Sequence, residues 1–174
     1  IKISQETVNL IVERARGDRG NLNSERQKLE ALSLTRKKIT QEDIFNLTNL
    51  SEDYGIFELV DNYLAKNKIK VSKILNENNF VNDDCILILR TLLNRSKRLL
   101  KLKNIQKEKD NIDEVISSYK PSIFWKEKDL VKQQIKNWSE KEIKEKIYQI
   151  SNLEILTKKN TSSINLVSDL ISNY

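Results

Sequence analysis

The stretch Tyr54-Gly55-Ile56-Phe57-Glu58-Leu59-Val60-Asp61-Asn62-Tyr63-Leu64 decides the fold class. Ile56, Phe57, Leu59, Val60, Tyr63 and Leu64 repeat with the 3.6-residue period of a helix that buries one side. A half-buried strand would alternate apolar and polar residues instead. Two later stretches carry both tryptophans of the chain: Ile123-Phe124-Trp125-Lys126 and Asn137-Trp138-Ser139.

The helical period continues on either side. Upstream, a first helix is expected from Gln5 to about Arg16, with Ser4 available as its cap. Val8, Ile11, Val12 and Ala15 fall on its buried side, and Gly17 is its expected stop because glycine takes the left-handed conformation at little cost. Leu22, Leu29 and Leu32 carry a second helix. Thr40-Gln41-Glu42-Asp43, a capping-box variant, opens a third bearing Ile44, Phe45 and Leu47. A polar interruption around Leu50 to Gly55 is the candidate domain boundary, since the three-helix unit before it is too small to hold much core.

Downstream, Ile69, Val71, Ile74 and Leu75 define the next helix, and about Asp83 to Lys107 reads as one long helix. A shorter element, Ile112 to Ser118, leads to Pro121 and the Phe124-Trp125 corner. Leu130, Val131 and Ile135 mark a helix that ends near Trp138. Ser139-Glu140-Lys141-Glu142 is a full capping box, and it starts a helix with Ile143, Ile147, Ile150, Leu153 and Leu156 inward. Polar residues Asn160 to Ser163 precede a last helix with Leu166, Val167, Leu170 and Ile171. The fold class is all-α.

Composition agrees. Three glycines and one proline in 174 residues leave few helix breakers, and 38% hydrophobic with 32% charged residues suits amphipathic helices. No apolar stretch reaches the roughly 20 residues that cross a bilayer. Cys85 is the single cysteine, so no internal disulfide forms and a reducing cytoplasm is the expected setting. The chain starts at Ile1 without a methionine anywhere, which reads as a fragment or a trimmed product.

Catalysis finds little to work with. Histidine is absent, which removes the usual general base near neutral pH and most zinc sites. No Gly-rich phosphate loop of the Walker type is present, so nucleotide binding by this chain is not expected. Asp83-Asp84 and Glu52-Asp53 are adjacent carboxylates that diverge by about 100° on a helix, and both suit a helix N-terminus better than a metal. Neither a metal site nor a cofactor is expected.

Charge distribution says more. The net charge is +6, and between Arg90 and Lys109 stand Arg90, Arg95, Lys97, Arg98, Lys101, Lys103, Lys107 and Lys109 against Glu108 alone. On a helix Arg90, Asn94, Lys97 and Lys101 fall within about 60° of one another, beside an apolar arc of Ile86, Leu89, Leu93 and Leu100. Such a stripe is either a solvated face whose long side chains shield the seam, or a phosphate-contacting surface with sequence-independent, salt-sensitive contacts. Trp125 stands among Lys120, Lys126 and Lys128. It either plugs a corner of the fold or stacks on an exposed base. Arg90, Lys97, Lys101, Trp125, Lys126 and Lys128 are therefore the candidate DNA-binding residues. Trp138, just before a helix cap, fits a hydrophobic staple.

Ile56-Phe57-Glu58-Leu59-Val60-Asp61, Phe124-Trp125-Lys126 and Trp138-Ser139 resemble three blocks of the delta subunit of the bacterial DNA polymerase III clamp loader. In that family they lie in the C-terminal collar domain, which follows a small AAA+ lid domain. Gly17-Asp18-Arg19 and the core Glu25, Lys28 and Leu29 resemble the lid, though Arg26 and Gln27 replace the usual leucine and acid. Glu154 and Lys158 match an acid-and-lysine pair near the family's C-terminus, a pattern that also suits a plain intrahelical ion pair.

The resemblance implies a truncated three-helix lid over residues 1–50 and a collar-type helical bundle over 51–174. It implies a non-catalytic subunit that assembles through its collar with delta-prime and the ATP-hydrolysing gamma/tau subunits to load the sliding clamp on primed DNA. ATP would be bound by those partners, the clamp by an N-terminal domain outside this sequence, and Trp125 would meet the emerging template strand. The parent holoenzyme is a DNA-directed DNA polymerase working at the bacterial nucleoid. Delta-prime is the neighbouring possibility, and a free-standing helical nucleic-acid-binding adaptor is the alternative from another class.

Overall fold

Few helix breakers permit long helices, and the longest one organises the molecule. The computed structural model describes residues 3–15, 19–35, 51–78, 80–158 and 163–172, and every regular element among them is helical. In chain order these are α1 (Gln5–Arg14), α2 (Arg19–Thr35), α3 (Ser51–Leu64), α4 (Lys68–Glu77), α5 (Asn82–Gln106) and α6 (Ile112–Ser118). A 3-10 turn (Trp125–Glu127), α7 (Lys128–Asn137), α8 (Glu140–Thr157) and α9 (Ser163–Ser172) follow. The expected stop at Gly17 and the third helix at Thr40 to Leu47 lie outside the described residues, as do residues 160–162 of the last polar interruption.

At 25 residues α5 runs about 37 Å. It packs against α3, α6, α7, α8 and α9, most extensively α8. Its buried apolar residues fall along one side at helical spacing: Cys85, Ile88, Leu89, Leu92, Leu99 and Leu102. One core joins them to Leu59, Val60 and Tyr63 of α3, Val131 and Ile135 of α7, Ile143 and Ile150 of α8, and Val167 and Ile171 of α9. A smaller cluster, Ile11 with Leu29 and Ile3, holds α1 to α2.

Side chains close the helix ends as the sequence anticipates. Ser139 Oγ accepts from Glu142 N at 3.2 Å, while Ser139 N donates to Glu142 Oε2 at 2.7 Å. Trp138 and Ile143, flanking that cap, share the core. Asn67 and Asn111 cap α4 and α6 with their side-chain oxygens. Asp84 accepts from Val81 N at the start of α5, the capping role expected of an acidic residue there.

α3 ends in a Schellman turn. Lys66 N donates to Tyr63 O and Asn67 N to Asn62 O, with Lys66 at φ 54°. Three donors from far downstream also reach carbonyls at this end, the Asp61 carbonyl taking one in addition to Ala65 N. Trp138 Nε1 donates to Leu64 O at 2.6 Å, Asn137 Nδ2 to Ala65 O at 2.7 Å, and Gln134 Nε2 to Asp61 O at 3.0 Å. Trp138 is 5% exposed, which settles its core assignment.

Some expectations need correction. The polar stretch from Ser51 to Gly55 is not an interruption but the first turns of α3. Gly55 lets the end of α4 come close, since a Cβ there would meet Asn78 Oδ1 at 2.8 Å. Ile69 is 87% exposed rather than inward, because the first turn of α4 has no helix above it among the described residues. Val8, Val12, Leu22 and Leu156 are likewise largely exposed. Periodicity orients a side chain on its own helix but says nothing of whether a neighbour covers it.

Trp138→Ala should cost about 3–5 kcal/mol in chemical denaturation, through a large core cavity and the orphaned Leu64 carbonyl. Trp138→Phe keeps most of the ring volume and should cost about 1–3 kcal/mol. An unchanged midpoint for Trp138→Ala would contradict the core role.

Candidate nucleic-acid interface

The cations of α5 divide between interior and surface. Arg95 is buried and its guanidinium faces two acids. Nη1 and Nη2 donate to Glu127 Oε2 and Oε1 at 3.1 and 3.2 Å, and Nε lies 3.5 Å from Asp61 Oδ1. Arg98, one turn on, donates from Nη1 to Glu127 Oε2 at 3.2 Å and lies 3.8 Å from Asp61 Oδ1. Gln134 Nε2 closes the group at 3.5 Å from Asp61 Oδ1. α3, α5, the 3-10 turn and α7 thus meet at an internal network of two arginines and two carboxylates. Burial pushes the Glu127 carboxyl up, but the charge and hydrogen bonds of Arg95 and Arg98 outweigh it and hold the carboxyl at about 2.

Other cations of that run are engaged as well. Lys103 Nζ donates to Ile135 O and Gln106 Oε1, Lys107 pairs with Glu140, and Lys109 Nζ donates to Ser118 Oγ. The expected stripe of Arg90, Asn94, Lys97 and Lys101 is exposed along its whole length. Arg90 Nε lies 3.2 Å from Glu154, which also takes Lys158 at 3.0 Å in the intrahelical pair foreseen from spacing. Lys97 and Lys101 form no ion pair among the described residues.

Trp125 begins the 3-10 turn and is 45% exposed. Its ring contacts buried Phe124 at 5.7 Å between centroids, and Lys126 Nζ stands 5.2 Å from its centroid. Lys128 is half-buried and reaches Glu6 of α1 at 3.4 Å. A groove of about 280 Å³ runs between α1, α5 and this corner, lined among others by Asn94, Arg98, Val12, Phe124 and Glu127. Asn94 belongs to the stripe and Phe124 touches Trp125, so stripe and aromatic corner border one groove. Of the six candidates, Lys97, Lys101 and Trp125 are open to a ligand, and Lys126 is exposed beside the indole. Arg90 and Lys128 must first exchange an acid for it.

A second surface escaped sequence reasoning. Tyr148, Ile155 and Leu156 of α8 are 69, 54 and 46% exposed. Seven residues apart, Tyr148 and Ile155 share the outer side of the helix, a signal that the inward set of Ile143, Ile147, Ile150 and Leu153 obscured.

No cluster of three or more potential metal ligands occurs among the described residues. Cys85 is buried, its Sγ donates to Val81 O, and burial raises its pKa, so it lacks the character of a reactive thiolate. Comparison with protein-family models, curated proteins and solved structures finds no match to this chain.

The Glu127 network sets a pH dependence. A carboxyl at about 2 in the fold and about 4.3 when unfolded contributes its full stabilisation above roughly pH 4.5 and loses it as pH falls toward 2. Glu127→Gln should lower stability at pH 7 by about 3–5 kcal/mol, because two buried guanidiniums lose a charged partner. It should also flatten the acid limb of stability against pH. Glu140, Glu142 and Glu154, also held low by their partners, keep part of that slope in the variant. Parallel acid limbs in denaturant titrations of wild type and Glu127→Gln would refute the assignment.

Proposed function

We propose that this chain is a non-catalytic assembly subunit of a bacterial replicative clamp loader, of the delta type, with residues 1–50 as a truncated lid and 51–174 as the collar. One observation supports the reading: the first and third segments that resemble the family's blocks touch, and the residue that follows the second shares partners with the first. Trp138 and Asn137 bond the end of the helix that bears Ile56 to Asp61. Glu127, next to Trp125 and Lys126, shares two arginines with Asp61.

In this reading the exposed apolar side of α8 is the assembly face. Tyr148, Ile155 and Leu156 are the exposed apolar side chains that a partner helix would cover. The partners are delta-prime and the gamma/tau subunits, which bind and hydrolyse ATP, while this chain supplies no cofactor site. Lys97, Lys101 and the Trp125 corner contact primed DNA in the assembled ring. A second reading, a free-standing nucleic-acid-binding adaptor, draws on the same unpaired Lys97 and Lys101 beside an exposed indole.

Co-purification with gamma/tau and delta-prime from the same cell separates the two. The clamp-loader reading expects a stable mixed complex that Ile155→Asp weakens at least tenfold while circular dichroism stays unchanged. Recovery of the chain free of both partners would end it. The adaptor reading expects micromolar single-stranded DNA affinity of the isolated chain at moderate salt, lost on joint Lys97→Glu and Lys101→Glu reversal; absence of that affinity would end it.

A further inference from the structure

We propose that Lys128 is a latch: it holds the first helix against the bundle through Glu6, and a single-stranded nucleic-acid phosphate arriving at the Trp125 corner displaces Glu6 and frees α1. This rests on that corner being the nucleic-acid contact proposed above.

The joint between α1 and the corner is built for exchange. Among the described residues, Lys128 Nζ reaches Glu6 Oε1 across it at 3.4 Å and Asn9 Nδ2 reaches Ser122 O at 3.5 Å. Both are long and neither is fully buried, so each is weak. Below them the apolar surfaces do not close: Val12 faces Ile123 and Phe124 across the unfilled groove and stays 46% exposed. The cluster of Ile3, Ile11 and Leu29 is separate from the bundle core, so α1 and α2 keep their mutual packing if α1 leaves the corner.

Lys128 is also placed to meet an anion. It stands one turn beyond Trp125 and two residues past Lys126, at the N-terminal end of α7, where the helix dipole favours negative charge. Glu6 occupies that position in the closed form. Carboxylate and phosphate then compete for one ammonium, and linkage fixes the sign: whatever Glu6 gains from Lys128 is subtracted from phosphate binding. Removing Glu6 must strengthen nucleic-acid binding even though Glu6 never touches the ligand.

The test uses the full chain with spin labels on Ser24→Cys in α2 and Lys136→Cys in α7, both exposed, and buried Cys85 left in place. Pulsed electron resonance reads the 24–136 distance, and fluorescence anisotropy reads affinity for a short mixed-sequence single-stranded oligonucleotide at low ionic strength. Saturating oligonucleotide should lengthen or broaden the distance distribution. Glu6→Gln should broaden it without ligand and raise affinity about two- to fivefold, the range of one surface ion pair. Lys128→Gln should broaden it and lower affinity. Unchanged affinity in Glu6→Gln beside reduced affinity in Lys128→Gln would overturn the competition and leave the nucleic-acid contact standing. A distance unmoved at saturation would overturn release. No binding by the chain with Glu6 and Lys128 intact would overturn the latch and the adaptor reading together.

Discussion

The carbonyl groups at the C-terminal end of α3 are the constraint on which the rest of the bundle depends. A helix leaves its last carbonyls without intrahelical donors, and buried ones must find partners elsewhere. Here the backbone turn at Lys66 serves Tyr63 and Asn62, and Leu64 and Ala65 are served by Trp138 and Asn137, more than 70 residues away. Those bonds fix where α7 ends, and with it the capping box that launches α8. The position of α8 in turn determines which side of α5 stays open. Lys66 completes the joint: its Nζ lies 4.5 Å from the Trp138 ring and 3.6 Å from Glu142. That double engagement explains a non-glycine residue held at positive φ.

The same junction decides the electrostatics. Asp61 and Glu127 draw Arg95 and Arg98 inward, so the most basic run of the sequence delivers far less charge to the surface than its composition suggests. An ion network of this kind is a weak source of net stability, because desolvation offsets much of the attraction, but losing one member is costly. Its firmer contribution is specificity. Only one arrangement of α3, α5, the 3-10 turn and α7 lets both guanidiniums reach both carboxylates.

The sequence made helix period, caps and core-facing aromatics legible because each is a local property. Ser139 and Glu142 cap one another within four residues, and Ile112 to Ser118 forms where its period placed it. Residues misread from the sequence share a different cause. Ile69 and Leu156 follow the helical period and remain exposed because no other helix covers them among the described residues, a fact that lies in distant parts of the chain. Arg95 and Arg98 look like the rest of the basic run until Asp61 and Glu127, 34 and 32 residues from Arg95 in opposite directions, are brought beside them. Of the candidate interface, sequence supplied the residue types and the stripe geometry. It did not show which lysines lack acids among the described residues, nor that Glu6 reaches Lys128.

Magnitude weighs between the two proposed roles. Lys97 and Lys101 are open to phosphate without displacing an acid, Lys126 stands beside the indole, and Lys128 becomes a fourth cation only by releasing Glu6. For single strands the logarithm of affinity falls with the logarithm of salt by about 0.7 per phosphate neutralised, giving a slope of about −2 to −3 for three or four contacts. Proteins that depend on their own charge for tight binding make roughly 6–10 such contacts. One indole adds about 1–3 kcal/mol of stacking, which alone does not exceed millimolar affinity. A footprint of this size suits a subunit that shares nucleic acid with neighbours held beside it, where effective concentration supplies what individual contacts lack. In the proposed reading the exposed apolar residues of α8 would hold those neighbours. A weak footprint thus fits the proposed assembly subunit better than the solitary binder.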